Sequence, residues 1–239
     1  MNRKTNTAEV WDKYQTEQRA GYKVKSAFND PTYYFVKYLV KKNIIGVGNI
    51  LEIGYGDGLT LQLLSKIFNK VSGADISPKN IELTKKEFEE KNINNADFFV
   101  LDLVDPLQID NKYDVIMLNH VLEHFTKGEL DIVVPNILKL LKPGGKLIGA
   151  VPYNLPLTYR ICPNCGEKFE IDGHQIQYTE AIFRQNILPY GFKEIVIRNH
   201  NFKFYSRKDS LIKKVLRRMY YKFIRTPKGQ LEFCIEKTI

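Results

Sequence analysis

The stretch Ile50-Leu-Glu-Ile-Gly-Tyr-Gly-Asp-Gly58 decides the fold of this chain. An apolar run from Asn49 to Ile53 predicts a strand, and three glycines in the next five residues predict a tight turn. A leucine-rich helical pattern follows, and a second predicted strand, Lys70 to Ala74, ends in Asp75. Bare backbone lets a ligand lie against such a turn, and the helix behind it points N–H groups at that ligand. The segment therefore predicts a site for a nucleoside-bearing cofactor, with Asp75 on the ribose hydroxyls.

The spacing of the glycines excludes a dinucleotide as that cofactor. The dinucleotide fingerprint is G-x-G-x-x-G, whereas this turn reads G-x-G-x-G and carries Leu59 where the third dinucleotide glycine would stand. A pyrophosphate also needs more open N–H groups than this turn offers.

Three further segments follow in a fixed order. Phe98 to Leu103 predicts a third strand that ends in an acid, and Tyr113 to Phe125 predicts a fourth strand and the start of its helix. Leu141 to Pro152 predicts a helix stop, a turn and a fifth strand, because Pro143-Gly144-Gly145 removes a donor and supplies positive φ. Strands that alternate with helices predict an α/β fold with a parallel sheet and helices on both faces.

Together these four segments resemble the class I S-adenosylmethionine (SAM)-dependent methyltransferases that act on small molecules or glycans, over about residues 45–155. The resemblance implies a Rossmann-like, mostly parallel sheet of seven strands. The sixth strand is expected at residues 191–198 and the seventh at 230–237. The family order places the seventh strand antiparallel between the fifth and the sixth.

The resemblance also implies roles for the first strand and its turn. Glu52 would order the turn and the amino-acid end of SAM from below. Gly54 and Gly56 would let the methionine part of SAM lie on the backbone, and Gly58 completes the turn. Tyr55 stands where many relatives carry cysteine or alanine, so its side chain is expected to face cofactor or substrate.

The remaining implied cofactor-binding residues end the next three strands. Asp75 would bind the ribose hydroxyls, with Ile76 against the adenine. Asp102 and Leu103 would hold the adenine. Asn119, at the tip of the fourth strand, would approach the SAM amino group and the transferred methyl.

Length and composition predict one domain over residues 1–239, with inserts at 156–178 and 203–228. The resemblance implies that the N-terminal helical segment, 1–45, is a lid over the cofactor, and packing of its aromatic residues on the core is the alternative. The hydrophobic share of 44% can build one full core, and no apolar run approaches the ~20 residues of a spanning helix. Met1 to Arg19 lacks the apolar core of a signal peptide, and only three cysteines occur. These features favour a reducing cytoplasm.

The first insert carries Cys162-Pro-Asn-Cys165-Gly166 and then His174, a pattern that suits Zn²⁺. A structural zinc site with Cys162, Cys165 and His174 is the favoured interpretation. Asp172, His200 and a water or substrate atom are candidates for the fourth ligand. The alternatives are a metal with an open position that activates a substrate atom, and a redox C-x-x-C.

The sequence of the second insert predicts a basic amphipathic helix at residues 207–225. Residues 203–225 carry a net charge of +8, against +9 for the whole chain. The predicted helix could expose its basic face to solvent, or it could bind the anionic inner face of a membrane. It would also suit a phosphate-bearing acceptor, and RNA is the less favoured partner because no RNA-binding module is evident.

His120 is the first candidate for a catalytic base, with a packing role as the alternative. It follows Asn119 at the ligand-binding end of the sheet, and a hydroxyl acceptor needs a base. Tyr153 is a candidate pocket residue, whereas Glu123 and His124 are assigned to packing. The sequence thus predicts a SAM-dependent methyltransferase acting on a small-molecule or glycan-precursor hydroxyl. The alternatives are an RNA methyltransferase and a non-catalytic SAM- or zinc-binding interaction protein.

Overall fold

The computed structural model describes residues 7–21, 31–107, 110, 112–201 and 229–238. Nine strands are described: β1 (Asn49–Ile53), β2 (Lys70–Asp75), β3 (Ala96–Val100), β4 (Tyr113–Asn119), β5 (Leu141–Tyr153), β6 (Tyr159–Ile161), β7 (Lys168–Glu170), β8 (Phe192–Asn201) and β9 (Gly229–Lys237). The helices of this part are α1 (Ala8–Gly21), α2 (Pro31–Lys41), α3 (Leu59–Leu64), α4 (Pro78–Glu90), α5 (Lys127–Leu140) and α6 (Glu180–Ile187). Short 3-10 turns cover Leu122–His124 and Leu188–Tyr190.

Seven strands form one sheet in the order β3-β2-β1-β4-β5-β9-β8. β1 pairs parallel with both β2 and β4, and β9 pairs antiparallel with both β5 and β8. This architecture confirms the predicted fold, including the antiparallel seventh strand between the fifth and the sixth. After β1 the chain adds β2 and β3 on one side of β1 and then β4 on the other side, so the strand order reverses beside β1. A crevice opens there at the carboxyl ends of β1 and β4, where ligands bind in such folds.

Apolar residues on the central strands alternate between two buried clusters, one on each face of the sheet. Leu51 and Ile53 of β1 belong to one cluster, whereas Ile50 belongs to the other. Because successive side chains of a strand point to opposite faces, this run of apolar residues requires helices on both sides. The α5 and α6 side covers one face, and α2, α3 and α4 cover the other.

Helix boundaries follow local chemistry. Ser77 caps α4 by accepting a hydrogen bond from the Asn80 N–H, with Pro78 in the first turn. Thr126 and Glu129 form a complete capping box at the start of α5. One prediction differs from the structure: α5 ends at Leu140 and β5 begins at once, so the segment around Gly144 interrupts the register of β5 instead of forming a turn ahead of it.

The first insert contains the small antiparallel sheet of β6 and β7. The predicted basic helix at 207–225 lies outside the described residues, as do 1–6 and 22–30 of the predicted lid. In the part of the chain that the structure describes, no helix is both long enough and apolar enough to span a bilayer. The division into one domain with two inserts stays a prediction.

Candidate functional site

A cleft opens at the carboxyl ends of the central strands. It collects six of the residues singled out in the sequence: Gly54, Asp75, Ile76, Asp102, Leu103 and His120. The remaining wall is formed by Trp11, Ile53, Leu101, Val121, His124 and Phe125.

The glycine turn depends on backbone conformations that other residues seldom adopt. Gly54, Gly56 and Gly58 have φ values of 68°, 59° and 75°. The Gly54 N–H donates to the Ala74 carbonyl at 2.8 Å, which ties the turn to β2. A Cβ on Gly54 would lie 2.7 Å from Val121 Cγ2, whereas a Cβ on Gly56 would meet nothing within 4 Å. Val121 therefore leaves no room for a side chain at Gly54, whereas no atom crowds the position of a Cβ at Gly56.

Asp75 is held in a fixed orientation at the end of β2. Its Oδ1 accepts from the Ser77 N–H at 2.9 Å, and its Oδ2 accepts from Asn80 Nδ2 at 2.8 Å. The same Asn80 amide donates to the Gly56 carbonyl at 2.9 Å, so it links β2 to the glycine turn. Sequence reasoning did not single out Asn80, although its place in the first turn of a Ser-Pro-capped helix could have suggested it. Each carboxylate oxygen can accept further bonds, so Asp75 can still bind a diol.

Asp102 lies beyond the end of β3. Its Oδ1 accepts from the Val104 N–H at 3.1 Å, which fixes the carboxylate at the cleft wall. Ile76, Leu101 and Leu103 supply apolar surface beside it. A planar ring with a hydrogen-bonding edge fits such a wall.

Five predicted cofactor residues are not among those that line the cleft: Glu52, Tyr55, Gly56, Gly58 and Asn119. Glu52 is buried within β1. Asn119 Oδ1 accepts from the Thr32 hydroxyl at 2.9 Å, so the start of α2 packs against the tip of β4. The expectation that the Tyr55 side chain faces cofactor or substrate is wrong. Its ring is buried in the core against Phe98, at 5.8 Å between centroids, and Tyr55 stands between Gly54 and Gly56, which both have positive φ.

His120 and Glu123 form a pair at the cleft. His120 has φ 56°, a left-handed conformation that is uncommon for residues with a side chain, and its side chain is 46% exposed. Its Nδ1 lies 3.2 Å from Oε1 of Glu123, whose side chain is 1% exposed. The His120 N–H donates to the Ala150 carbonyl at 2.9 Å, which anchors the strained residue to β5. The pair resembles a base with an orienting carboxylate.

His124, assigned to packing from the sequence, lines the cleft. Its Nδ1 lies 3.2 Å from the Gly173 carbonyl and donates to it, and burial lowers the pKa of this imidazole. The rings of Trp11 and His174 pack edge-on against it, at 5.3 and 5.1 Å between centroids.

Helix α1 lies over the cleft and is fastened to α4. Asp12 accepts hydrogen bonds from the Ser77 hydroxyl and from the Lys79 N–H. Trp11, the residue before Asp12 on α1, reaches the cleft wall. This position is the one expected of a cover over a bound ligand.

Cys162 and Cys165 lie in the turn that connects β6 to β7. The Gly166 N–H donates to the Cys162 carbonyl at 2.9 Å, and N–H groups of Cys165 and Asn164 lower the pKa of the Cys162 thiol. His174, the third predicted zinc ligand, packs instead against the ring of His124. Among the described residues, the group of three or more potential metal ligands is Glu123, His124 and His174, whose ligand atoms lie within 4.8 Å of one another. The three predicted zinc ligands therefore do not form one such group.

Part of the chain is similar in sequence to known methyltransferases. The model of a methyltransferase domain family matches residues 50–145. A malonyl-[acyl-carrier protein] O-methyltransferase of Priestia megaterium is 35% identical over 101 residues, which is 41% of this chain and 35% of that protein. A ubiquinone biosynthesis O-methyltransferase of Coxiella burnetii is 28% identical over 112 residues, 47% of each chain. The chain thus matches less than half the length of these relatives.

Solved structures share the fold over nearly the whole chain. A SAM-dependent methyltransferase from Clostridium acetobutylicum superposes with a TM-score of 0.64 at 14% identity, covering 96% of this chain and 100% of that one. The [4+2]-cyclase SpnF superposes with a TM-score of 0.65 at 15% identity, covering 97% and 95%. The Rossmann-like methyltransferase fold is therefore shown, and because a cyclase shares it, the activity must be argued from the site.

Proposed function

We propose that this protein transfers a methyl group from SAM to a hydroxyl of a small-molecule or glycan-type acceptor. One observation carries the proposal: Gly54 of the glycine turn, the Asp75 carboxylate and the Asp102 wall converge on a single cleft. The match of residues 50–145 to a methyltransferase domain supports it.

The cleft offers a complementary group for each part of a nucleoside. Asp75, oriented by Ser77 and Asn80, would accept hydrogen bonds from both ribose hydroxyls. Asp102 would accept from the adenine amino group, while Ile76 and Leu103 pack on the ring. The open backbone at Gly56 would leave room for the methionine part.

The acceptor side follows from His120. SAM supplies a methyl group on a positive sulfonium, so the protein has mainly to place the nucleophile, exclude water and remove a proton. His120 would take the hydroxyl proton through its Nε2, because Nδ1 faces Glu123. Trp11 on α1 would keep water from the cleft. Relatives named as O-methyltransferases support an oxygen acceptor.

Cofactor binding is testable without knowing the acceptor. SAM or its demethylated product, S-adenosylhomocysteine (SAH), is expected to raise the melting temperature. At a hundred times the dissociation constant, the ligand stabilises the folded state by about 2.7 kcal/mol. For a chain of this size that is a rise of roughly 5–10 °C. NAD⁺ serves as the control and should cause no shift; an equal shift with NAD⁺, or none with SAM and SAH, rejects the proposed cofactor.

Peripheral binding to an anionic membrane is a second part of the proposal, and it is supported by the sequence of residues 207–225. Wild-type protein is expected to sediment with vesicles of phosphatidylglycerol and not with pure phosphatidylcholine. Changing Lys213, Lys214, Arg217 and Arg218 to Glu should abolish sedimentation, because it replaces four positive charges of the segment with four negative ones. A matched variant with Lys85 and Lys86 changed to Glu on α4 should sediment normally. Sedimentation that survives the fourfold reversal rejects the membrane contact.

A further inference from the structure

We propose that Glu123, His124 and His174 form a binding site for a divalent transition-metal ion, Zn²⁺ first, with an open position towards the cleft. The ligand atoms of the three side chains lie within 4.8 Å of one another. Ligands at about 2.0–2.2 Å from a tetrahedral zinc lie roughly 3.4 Å apart. The ligand atoms would therefore have to approach one another by at most about 1.4 Å when an ion binds.

The loop that carries His174 is fixed to the turn that carries the other two ligands. The N–H groups of Gln175 and Ile176 both donate to the Glu123 carbonyl, at 2.7 and 3.3 Å. The Gly173 carbonyl accepts from His124 Nδ1 at 3.2 Å. Residues on either side of His174 are therefore bonded to the Glu123–His124 turn, and the His174 N–H donates to Glu170 at 2.8 Å. These bonds pre-organise the three ligands before any ion binds.

The hydrogen bond to Gly173 also selects the ring nitrogen. Histidines that bind metals usually donate their other ring N–H to a carbonyl or carboxylate, which sets the tautomer. With its proton on Nδ1, His124 presents Nε2 as the nitrogen that can bind a metal.

Glu123 supplies the charge that attracts a cation. Its side chain is 1% exposed, and only Oε1 lies near His120. The second oxygen, Oε2, is buried and has no hydrogen-bond partner among the described residues. A buried carboxylate oxygen without a partner is costly, and a metal ion would compensate for it.

The donor set indicates the class of ion. Two imidazoles and one carboxylate suit Zn²⁺ and related transition ions better than Ca²⁺ or Mg²⁺, which prefer oxygen ligands. Three protein ligands leave one tetrahedral position open. His124 lines the cleft, so that position faces the space where an acceptor would lie. If the proposed methyl transfer holds, the ion would bind the acceptor oxygen and ease loss of its proton to His120.

The test is metal binding by purified, EDTA-treated protein. Changing Cys162 and Cys165 to Ser removes the predicted cysteine knuckle, so any remaining site is separate from it. Calorimetric titration of this double variant with Zn²⁺ is expected to show one equivalent bound. Adding His174→Ala should weaken that binding at least 100-fold, and Glu123→Gln should weaken it similarly. Gln177→Ala in the same background is the matched control, since Gln177 lies in the same loop and bonds to Asn154.

Cobalt distinguishes the two metal sites spectroscopically. Co²⁺ at the proposed site should give visible d–d bands without a sulfur charge-transfer band, because all three ligands are nitrogen or oxygen. The inference is overturned if the variant with Cys162 and Cys165 changed to Ser binds no Zn²⁺, or if His174→Ala leaves binding unchanged while circular dichroism shows a folded protein. SAH titration of the same samples separates this outcome from the proposed function: normal SAH affinity without metal binding rejects only the metal site.

Discussion

Replacing Asp75 with Asn is expected to weaken SAH binding about 100-fold while the protein remains folded. The carboxylate would accept two charge-assisted hydrogen bonds from the ribose, each contributing about 1.5–3 kcal/mol. Asn offers one acceptor and one donor group, so it cannot bond to the Ser77 N–H, Asn80 Nδ2 and both hydroxyls. A loss of about 3 kcal/mol corresponds to roughly 100-fold in the dissociation constant.

Calorimetry with SAH measures this effect, and Asp97→Asn provides the matched control. Asp97 lies on the neighbouring β3, where its partly exposed carboxylate pairs with Lys70 at 2.9 Å, away from the cleft. Its replacement should leave SAH affinity unchanged. An Asp75→Asn protein that binds SAH within about threefold of wild type would contradict the assigned role of Asp75.

Replacing His120 with Asn is expected to lower kcat by about 10²–10⁴ and to leave SAH affinity unchanged, because a general base contributes about that factor. Asn is the appropriate replacement because residue 120 has φ 56°, and Asn tolerates the left-handed region better than Ala or Gln. The variant loses the basic nitrogen without adding backbone strain. The assay uses oxygen-nucleophile acceptors and follows SAH release.

Added imidazole should partly restore the activity of His120→Asn, a result that a purely structural role would not produce. Glu123→Gln keeps the size of the orienting side chain but loses its charge, so we expect it to lower kcat less than His120→Asn does. If His120→Asn retains wild-type kcat, the base lies elsewhere and the role of His120 is packing. The metal site and the catalytic base can be tested separately, because metal binding as proposed depends on His174 and proton removal as proposed depends on His120.

Much of the fold follows from local patterns. Apolar runs that end near Gly54, Asp75 and Asp102 predicted three strands, and the structure brings their carboxyl ends to one edge of the sheet because the strands are parallel. The antiparallel position of β9 came from resemblance to a family, since no local pattern in residues 229–237 indicates which strands it joins. The bulge near Gly144 was missed because a Pro-Gly-Gly run serves a turn and a strand irregularity equally well.

Side-chain partnerships were predictable only where neighbours in sequence are neighbours in space. The chain itself shows that Asp75 precedes a Ser-Pro helix start, so its bond to the Ser77 N–H is a local event. Tyr55 sits in a left-handed turn whose direction depends on the packing of β1 against β2, so its burial against Phe98 could not be read from spacing. Thr32 and Asn119 are 87 residues apart, and no sequence pattern joins them.

Hydrophobic period and turn chemistry are local properties, so the amino-acid sequence by itself predicted a parallel α/β sheet and a nucleoside site at the glycine turn with Asp75. The seven-stranded Rossmann-like order and the other cleft residues were implied by the resemblance to a family. Only the tertiary structure decided where His174 lies. The sequence placed it with Cys162 and Cys165, nine or more positions before it, whereas the fold places it beside Glu123 and His124. The physical reason is the pair of backbone bonds from Gln175 and Ile176 to Glu123, which hold the insert loop against the 3-10 turn after β4.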